Sequence, residues 1–523
     1  MTSTTTSIAT RVEAAVRSLP TAFSGPGGAV AVLKDGEVVG RHTWGWANVE
    51  RRIPFSPKTL FRICSITKQF TCGLLLDAFP DPSVLDGDVR SRLPNLAGAA
   101  PAALHLAHNQ SGLRDYWAVA MLQGAPAESV FGAREADRMI RETRSLHFEP
   151  GTRYSYANQN FRLLGDIVQD RSSRGIAELL RARVFDRVGM ETAFLAANTE
   201  SMPDGTEGYE GAPDTGFRPA VNRILWTGDA GMGASLDDMI AWERHIDATR
   251  DDAGSLYHRL SAPVNFSDGA PAKYGFGLGR VTMLDRAVTA HGGGLRGWRS
   301  TRFYCPAERI SVVVLFNHMA AAHEAAARVF AAALNEAPPP RDEGLPNPEW
   351  LGAYREPQTG LSVRIEAAPK GQVRLRYGYP PEPLDLPPDG SAGSDGARLR
   401  YVEGAVWMDQ PRDNQSSRLE PLDPPGAADI AGRYRCDELE TELTIEDAGG
   451  ALSGAVSGFL GRGQMEQLTP VGRDVWVLPC PRALDHSAPG DWTLAFGRDA
   501  GGRITDVQVG CWLARGLNYR RIA

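Results

Sequence analysis

Apolar residues recur at helical spacing over residues 8–22, and the chain then changes to strand-like segments. Ala29-Val-Ala-Val-Leu33 and Glu37-Val-Val-Gly-Arg-His-Thr-Trp44 flank Asp35-Gly36, a pair that tolerates the positive φ angles of a tight hairpin turn. Residues 65–245 read as largely helical with long connections. Strands return around 274–281, 287–291, 299–305 and 310–316, and an Ala-rich helix covers about 320–335. Antiparallel strands from both ends with helices between them predict an α+β domain carrying an inserted helical region.

Residues 337–348, Ala-Pro-Pro-Pro-Arg-Asp-Glu-Gly-Leu-Pro-Asn-Pro, read as a stiff linker, which ends a first domain spanning 1–336. Beyond it the pattern shifts to short strands with Gly, Pro and Asp turns. An internal repeat is visible there. Trp350-Leu-Gly352-Ala-Tyr354 is echoed by Ile430-Ala-Gly432-Arg-Tyr434, and Val363-Arg-Ile365-Glu366 by Leu443-Thr-Ile445-Glu446. The constant offset predicts two copies of one small antiparallel β-barrel, over 349–425 and 429–523. Packing onto the first domain is the expected job of these barrels, in preference to carrying a ligand.

Chemistry enters with three short motifs: Ser65-Ile-Thr-Lys68, Tyr156-Ala-Asn158 and His291-Gly-Gly293. Each alone is within reach of chance. Context raises the first, because Leu60-Phe-Arg-Ile-Cys64 reads as a strand leading in and Gln69–Leu76 as a buried helix leading out. Ser65 then sits where strand hands over to helix, near the positive end of the helix dipole. Three residues on, Lys68 shares its helix face. The chain's lysines are Lys34, Lys58, Lys68, Lys273 and Lys370, with arginine at nearly every other basic position. Arginine keeps its proton in proteins, whereas a buried lysine can lose it. A lysine at this position suggests that its proton has to come off.

These residues carry a resemblance. Thr59-Leu-Phe-Arg-Ile-Cys-Ser65-Ile-Thr-Lys68 resembles the active-site segment of the penicillin-recognising serine hydrolases, meaning class C β-lactamases, D,D-peptidases and related esterases. Leu106-Ala-His-Asn-Gln-Ser-Gly-Leu113 is similar to that family's Ser-Gly-Leu turn. Gly231-Met-Gly-Ala-Ser-Leu-Asp-Asp238 is similar to its late helix start, with Ser235 as N-cap. That likeness covers roughly residues 10–335. Gly510-Cys-Trp-Leu-Ala-Arg-Gly516 and the three-part layout resemble the D-stereospecific aminopeptidase branch.

The resemblance implies a nucleophile at Ser65, its lysine partner at Lys68, a proton-shuttling tyrosine at Tyr156 and a polar residue contacting lysine and substrate at Asn158. It also implies a substrate-binding strand at His291-Gly-Gly293, with Gly293 and Gly294 beside the substrate and the N–H groups of Ser65 and Gly294 as oxyanion donors. The family's strand motif begins with lysine where this chain has His291. An imidazole of ordinary pKa near 6.5 is only partly charged at neutral pH. Charge beside the site is expected to lower the pKa of Tyr156, and burial that of Lys68. The departure at His291 disfavours carboxylate-bearing β-lactams and favours esters, amides or peptide N-termini. The implied reaction is acyl-enzyme hydrolysis that releases N-terminal D-residues such as D-alanine. The alternatives are a carboxylesterase or weak β-lactamase, or a non-catalytic penicillin-recognising binding protein. Recognition of a free ammonium calls for an acid, and Asp485, in a Pro-bounded loop over 479–490, is the candidate if that loop reaches the active site.

The remaining features narrow the picture. A net charge of −7 with dispersed charges argues against nucleic acid or anionic membrane as partners. No stretch reaches the ~18–20 apolar residues of a membrane span. The N-terminus lacks a signal-peptide pattern, so a cytoplasmic location is expected. No cofactor and no metal are expected. The expected partner is a small peptide, amide or ester with a free N-terminal D-residue, and a homodimer is possible. Six scattered cysteines signal neither zinc nor disulfides, and Cys64 reads as a buried, inert thiol. His105 and His108 lack a third ligand at useful spacing and read as part of a surface helix. Gly228-Asp-Ala-Gly-Met-Gly233 lacks the frame of a dinucleotide loop. Tyr116-Trp117 reads equally as core or as a substrate platform.

Overall fold

A computed structural model describes residues 7–195, 198, 200–336, 348–369, 372–378, 380–387, 391–394, 396–484 and 488–523. Nearly all of the expected linker and Asp485 itself lie outside the described residues.

The expected helix spans Ile8–Ala22, capped by the Ser7 hydroxyl, and buries Val12, Val16 and Leu19. The hairpin follows, Gly27–Lys34 and Glu37–Asn48, with φ of 54° at Asp35 and 78° at Gly36. These strands belong to an eight-stranded sheet. Its order is Tyr274–Gly275, Leu278–Met283, Arg286–Leu295, Trp298–Cys305, Ile310–Phe316, Gly27–Lys34, Glu37–Asn48 and Ile53–Pro54. Strands from the beginning and the end of residues 1–336 meet in the middle, where Val30 stands opposite Val314 in antiparallel register.

Alternation sorts each central strand onto two faces. Val30, Val32, Val312 and Val314 pack outward against Ile8–Ala22 and Ala322–Leu334, while Ala29, Leu33, Val313 and Leu315 pack inward against the helical region. Burial on both faces is why these strands read as unbroken apolar runs. Each fully buried Val or Leu contributes about 1.5–3 kcal/mol.

Polar side chains lock helices to this sheet. The Ser235 hydroxyl accepts from the Asp238 N–H at 3.1 Å and the Asp238 carboxylate from the Ser235 N–H at 2.8 Å, completing the capping box expected there. Such a cap stabilises a helix start by about 1 kcal/mol. Within the same helix, Leu236–Thr249, Glu243 accepts two bonds of 2.7 and 2.6 Å from Arg302 on the sheet, both side chains fully buried.

Past residue 348 come two curved antiparallel sheets. The end strands of the first, Gln415–Arg418 and Glu420–Pro421, are separated by Leu419 alone, which brings the sheet back on itself. Leu468 similarly separates Glu466–Gln467 from Thr469–Gly472 in the second. The repeat is real in atomic terms. Gly352 pairs with Ile365 and Gly432 with Ile445, and the hydroxyls of Tyr354 and Tyr434 donate to the carbonyls of Trp350 and Ile430, each at 2.7 Å. The first barrel has its own core, whereas the core of the second runs on into the N-terminal region. No helix among the described residues is long and apolar enough to cross a membrane.

Candidate active site

The strand entering the first motif is shorter than the expected Leu60–Cys64. Only Phe61–Arg62 pairs, with Met232–Ala234, because Cys64 takes a left-handed φ of 53° and turns the chain into a tight helical turn, Cys64–Ile66. A non-glycine residue there costs about 1–3 kcal/mol. The bend leaves Ser65 half-buried, facing the cleft, while every residue from Thr67 to Leu76 in the following helix, Thr67–Ala78, is buried. Burial pushes the Cys64 thiol up to about 12, in keeping with an inert thiol.

Lys68 is fully buried, and its amine donates to Ser65 Oγ at 3.1 Å, Asn158 Oδ1 at 2.9 Å and the Asp229 carbonyl at 2.7 Å. Burial pulls its pKa down to about 8, although the nearby Asp229 and Asp115 favour the charged form. Tyr156 O–H donates to Ser65 Oγ at 2.9 Å. Contrary to the expected lowering, the Tyr156 pKa is well above the ordinary tyrosine value. Burial raises it, the Ser65 hydrogen bond opposes that only in part, and the surrounding acids add to the rise. The site thus holds a hydroxyl between an amine able to give up its proton and a phenol that keeps its own.

His291 lies on the strand Arg286–Leu295. Its Nδ1 is 2.5 Å from the Gly292 carbonyl, which can only accept, so Nδ1 carries the hydrogen and Nε2 accepts from the Tyr274 hydroxyl at 3.0 Å. Burial, reinforced by Lys68, pulls its pKa down to about 3. The expectation of a partly charged imidazole fails for this reason: the ring is neutral at neutral pH. Gly293 follows, packed so tightly that an added Cβ would fall 2.3 Å from the Ile63 carbonyl oxygen and 2.9 Å from Cys64 Cβ. Only glycine lets this strand lie against the residues before Ser65.

Ser65, Tyr156, Asn158, His291 and Gly292–Gly294 border one cavity of about 780 Å³, also bordered by Trp512, Leu513, Ala488 and Pro489 of the second barrel. The described flanks of the 479–490 loop are anchored there, residues 482–484 by ion pairs and backbone bonds and Ala488-Pro489 on the cavity wall. Buried Arg296, at the tip of the His291 strand, donates to the Ala483 carbonyl at 2.6 Å and also to that of Leu484. Arg482 pairs with Glu210 at 3.0 Å and with Glu128.

Three residues escape a reading of motifs. Asp115 directs its buried carboxylate at Asn158, Asp229 lends its carbonyl to Lys68, and Tyr274 sets the His291 tautomer. Asp229 belongs to the Gly228–Gly233 segment, which walls the lysine. Other side chains are structural. Tyr116 and Trp117 are core, with the Tyr116 hydroxyl donating to Asp229 at 2.6 Å. His108 is buried rather than on a surface helix, and His105 caps its own helix by accepting from the Ala102 N–H. No metal-holding cluster occurs among the described residues.

Comparisons with known proteins show what the chain as a whole is similar to. A β-lactamase family model matches residues 12–336, and a model described as D-aminopeptidase, domain B, matches 344–520. The chain is 61% identical over 524 residues to a D-aminopeptidase of Gluconobacter oxydans, covering 99% of each chain. It is 46% identical over 511 residues to a D-aminopeptidase of Brucella melitensis, covering 98% of each. Among solved structures it is similar to the octameric penicillin-binding protein homologue of Pyrococcus abyssi, with a TM-score of 0.54, 22% identity, and 78% and 99% of the two chains covered. It is also similar to the D-amino acid amidase of Ochrobactrum anthropi SV3, with a TM-score of 0.52, 19% identity, and 63% and 99% covered. The likeness to these two structures is one of fold.

Proposed function

The chain belongs to the family of D-aminopeptidases whose first domain has the β-lactamase fold, and from that premise we propose that Ser65 is the nucleophile that releases N-terminal D-residues from short peptides and amides. It is a serine hydrolase acting on D-amino acid substrates. The observation that carries the assignment of roles is the Ser65 hydroxyl held between Lys68 and Tyr156 at 3.1 and 2.9 Å.

Neutral Lys68 takes the Ser65 proton as Oγ attacks the scissile carbonyl carbon. The N–H groups of Ser65 and Gly294 hold the oxyanion of the tetrahedral intermediate. Tyr156, kept protonated by burial, gives its proton to the departing amine nitrogen and recovers one from Lys68. Water then cleaves the acyl-enzyme, with Lys68 as the base. Asn158 orients the lysine, and the neutral His291 suits a substrate with no carboxylate beside the scissile bond. Asp485, on the loop whose flanks are tied to Arg296 and the cavity wall, binds the substrate ammonium. The same reading divides the chain into a catalytic domain through 336, a linker at 337–348 and barrels at 349–425 and 429–523.

Turnover of D-alanine p-nitroanilide, of its L-isomer and of an N-acetylated form tests this reading. Selective cleavage of the free D-anilide, lost in a folded Ser65→Ala protein, is expected. Equal cleavage of all three sinks the aminopeptidase reading, and a fully active Ser65→Ala protein sinks the nucleophile.

A further inference from the structure

Asp115 is the N-cap residue of the helix Tyr116–Leu122, and the Trp117 backbone N–H at that helix start is directed to its carboxylate. An aspartate in this position ordinarily satisfies its own helix's first N–H groups. Here the buried carboxylate also reaches across to Asn158. It accepts from the Asn158 backbone N–H at 3.0 Å and from Nδ2 at 3.1 Å. Those bonds dictate which way the Asn158 amide faces. With Nδ2 committed to Asp115, Oδ1 points to the Lys68 amine. A reversed amide would set its oxygen against a carboxylate and its N–H₂ against an amine.

What holds Asp115 comes from the far end of the chain. Its backbone N–H donates to the Leu513 carbonyl at 3.0 Å, in the turn between the second-barrel strands Ile504–Cys511 and Ala514–Arg521. The neighbouring Arg114 Nε donates to the Arg515 carbonyl at 2.8 Å. The turn is itself fixed by a 2.9 Å bond from Trp512 Nε1 to the buried Asp413 of the first barrel.

We propose that Asp115 is a positioning residue for the hydrolysis, acting through Asn158 on Lys68, and that the second-barrel turn at Trp512-Leu513 holds it in place. The barrel thereby completes the catalytic site. Ionisable groups facing Lys68 are Asp115, Asp229, Tyr156, Cys64, Cys72 and His291, and Tyr116 stands behind Asp229. Burial keeps the phenols and thiols protonated and the imidazole neutral, which leaves the two carboxylates to favour the ammonium form of Lys68. Removing one of these negative charges makes the lysine lose its proton at lower pH.

The inference rests on Lys68 as proton acceptor, a premise tested separately by Lys68→Arg, whose outcome does not depend on Asp115. Asp115→Asn keeps the shape and the backbone bond to Leu513 but removes the charge and the preference for accepting. With D-alanine p-nitroanilide, and with folding verified by thermal melting, kcat is expected to fall about 10- to 100-fold, as for other residues that orient a catalytic group. KM should stay within about twofold, and the rising limb of the pH–rate profile should move to lower pH. A folded variant that leaves either kcat or the midpoint at the parent value overturns the proposal, since a merely structural role would not move the midpoint. If Asp115→Asn does not fold, Asp115→Glu carries the test. Its extra methylene displaces the carboxylate from Asn158 and Lys68, so a tenfold loss of kcat with KM within about twofold and a shifted midpoint supports the proposal, and a kcat or a midpoint like the parent's overturns it.

Discussion

The Tyr274 hydroxyl donates to Nε2 of His291 across 3.0 Å, and this single bond, with the Gly292 carbonyl on the other ring nitrogen, fixes a neutral imidazole at the edge of the site. With a pKa near 3, His291 contributes no titration between pH 5 and 8. His291→Lys should raise acylation by penicillin and lower cleavage of D-alanine amides. Each change should be about 10- to 100-fold, the worth of one charged hydrogen bond of about 1.5–3 kcal/mol. Stopped-flow acylation and amide turnover measure both. A variant that favours amides contradicts the role given to the ring.

Lys68 sets the pH dependence. Its folded pKa near 8 lies below the ordinary value, so the reactive neutral form grows as pH rises through 8 and is lost below it. On the acid side, kcat/KM should fall ~10-fold per pH unit. Lys68→Arg keeps the charge but cannot accept the proton, and turnover should drop by about 10³-fold or more. Near-normal amide hydrolysis by that variant would rule out the Ser65–Lys68 mechanism.

Deletion of 480–488 removes Arg482 and the backbone that Arg296 grips. Selection by a block at the end of a pocket is lost when the block goes. Cleavage of D-alanine p-nitroanilide should weaken, while N-acetylated or bulkier substrates improve. The ratio of kcat/KM for free and acetylated anilides reports the effect. An unchanged ratio means that the loop is scaffold and that the amine is selected by the first domain.

The buried Arg302–Glu243 pair is a matter of stability. Glu243→Gln leaves the guanidinium uncompensated in the core and should cost about 3–5 kcal/mol in urea unfolding. Arg302 stands opposite His291 on the neighbouring strand, but neither it nor Glu243 borders the cavity, so kcat at low temperature should stay within a few-fold of the parent's. A loss below 1 kcal/mol would mean that the arginine finds another partner.

Sequence by itself determined the parts whose chemistry is local. Ser65 and Lys68 share one helix face, Asp35-Gly36 needs a turn that tolerates positive φ, and the Ser235–Asp238 cap spans a single helical turn. The strands of the sheet were legible because burial on both faces leaves unbroken apolar runs, and the two barrels because their tyrosines and strand registers repeat eighty residues apart. Tertiary structure alone decided the rest. The protonation of Lys68, Tyr156 and His291 depends on how much solvent the surrounding chain removes, and no spacing encodes that. Phe61–Arg62 stopped short of the predicted strand because Cys64 had to bend toward the cleft. Asp115 and Asp229 resemble ordinary acids in the chain, and their roles exist only where Leu513, Asn158 and Lys68 converge on them from distant positions. Motifs record which groups the chemistry requires, whereas burial and long-range contact set the charge and direction each group has when substrate arrives.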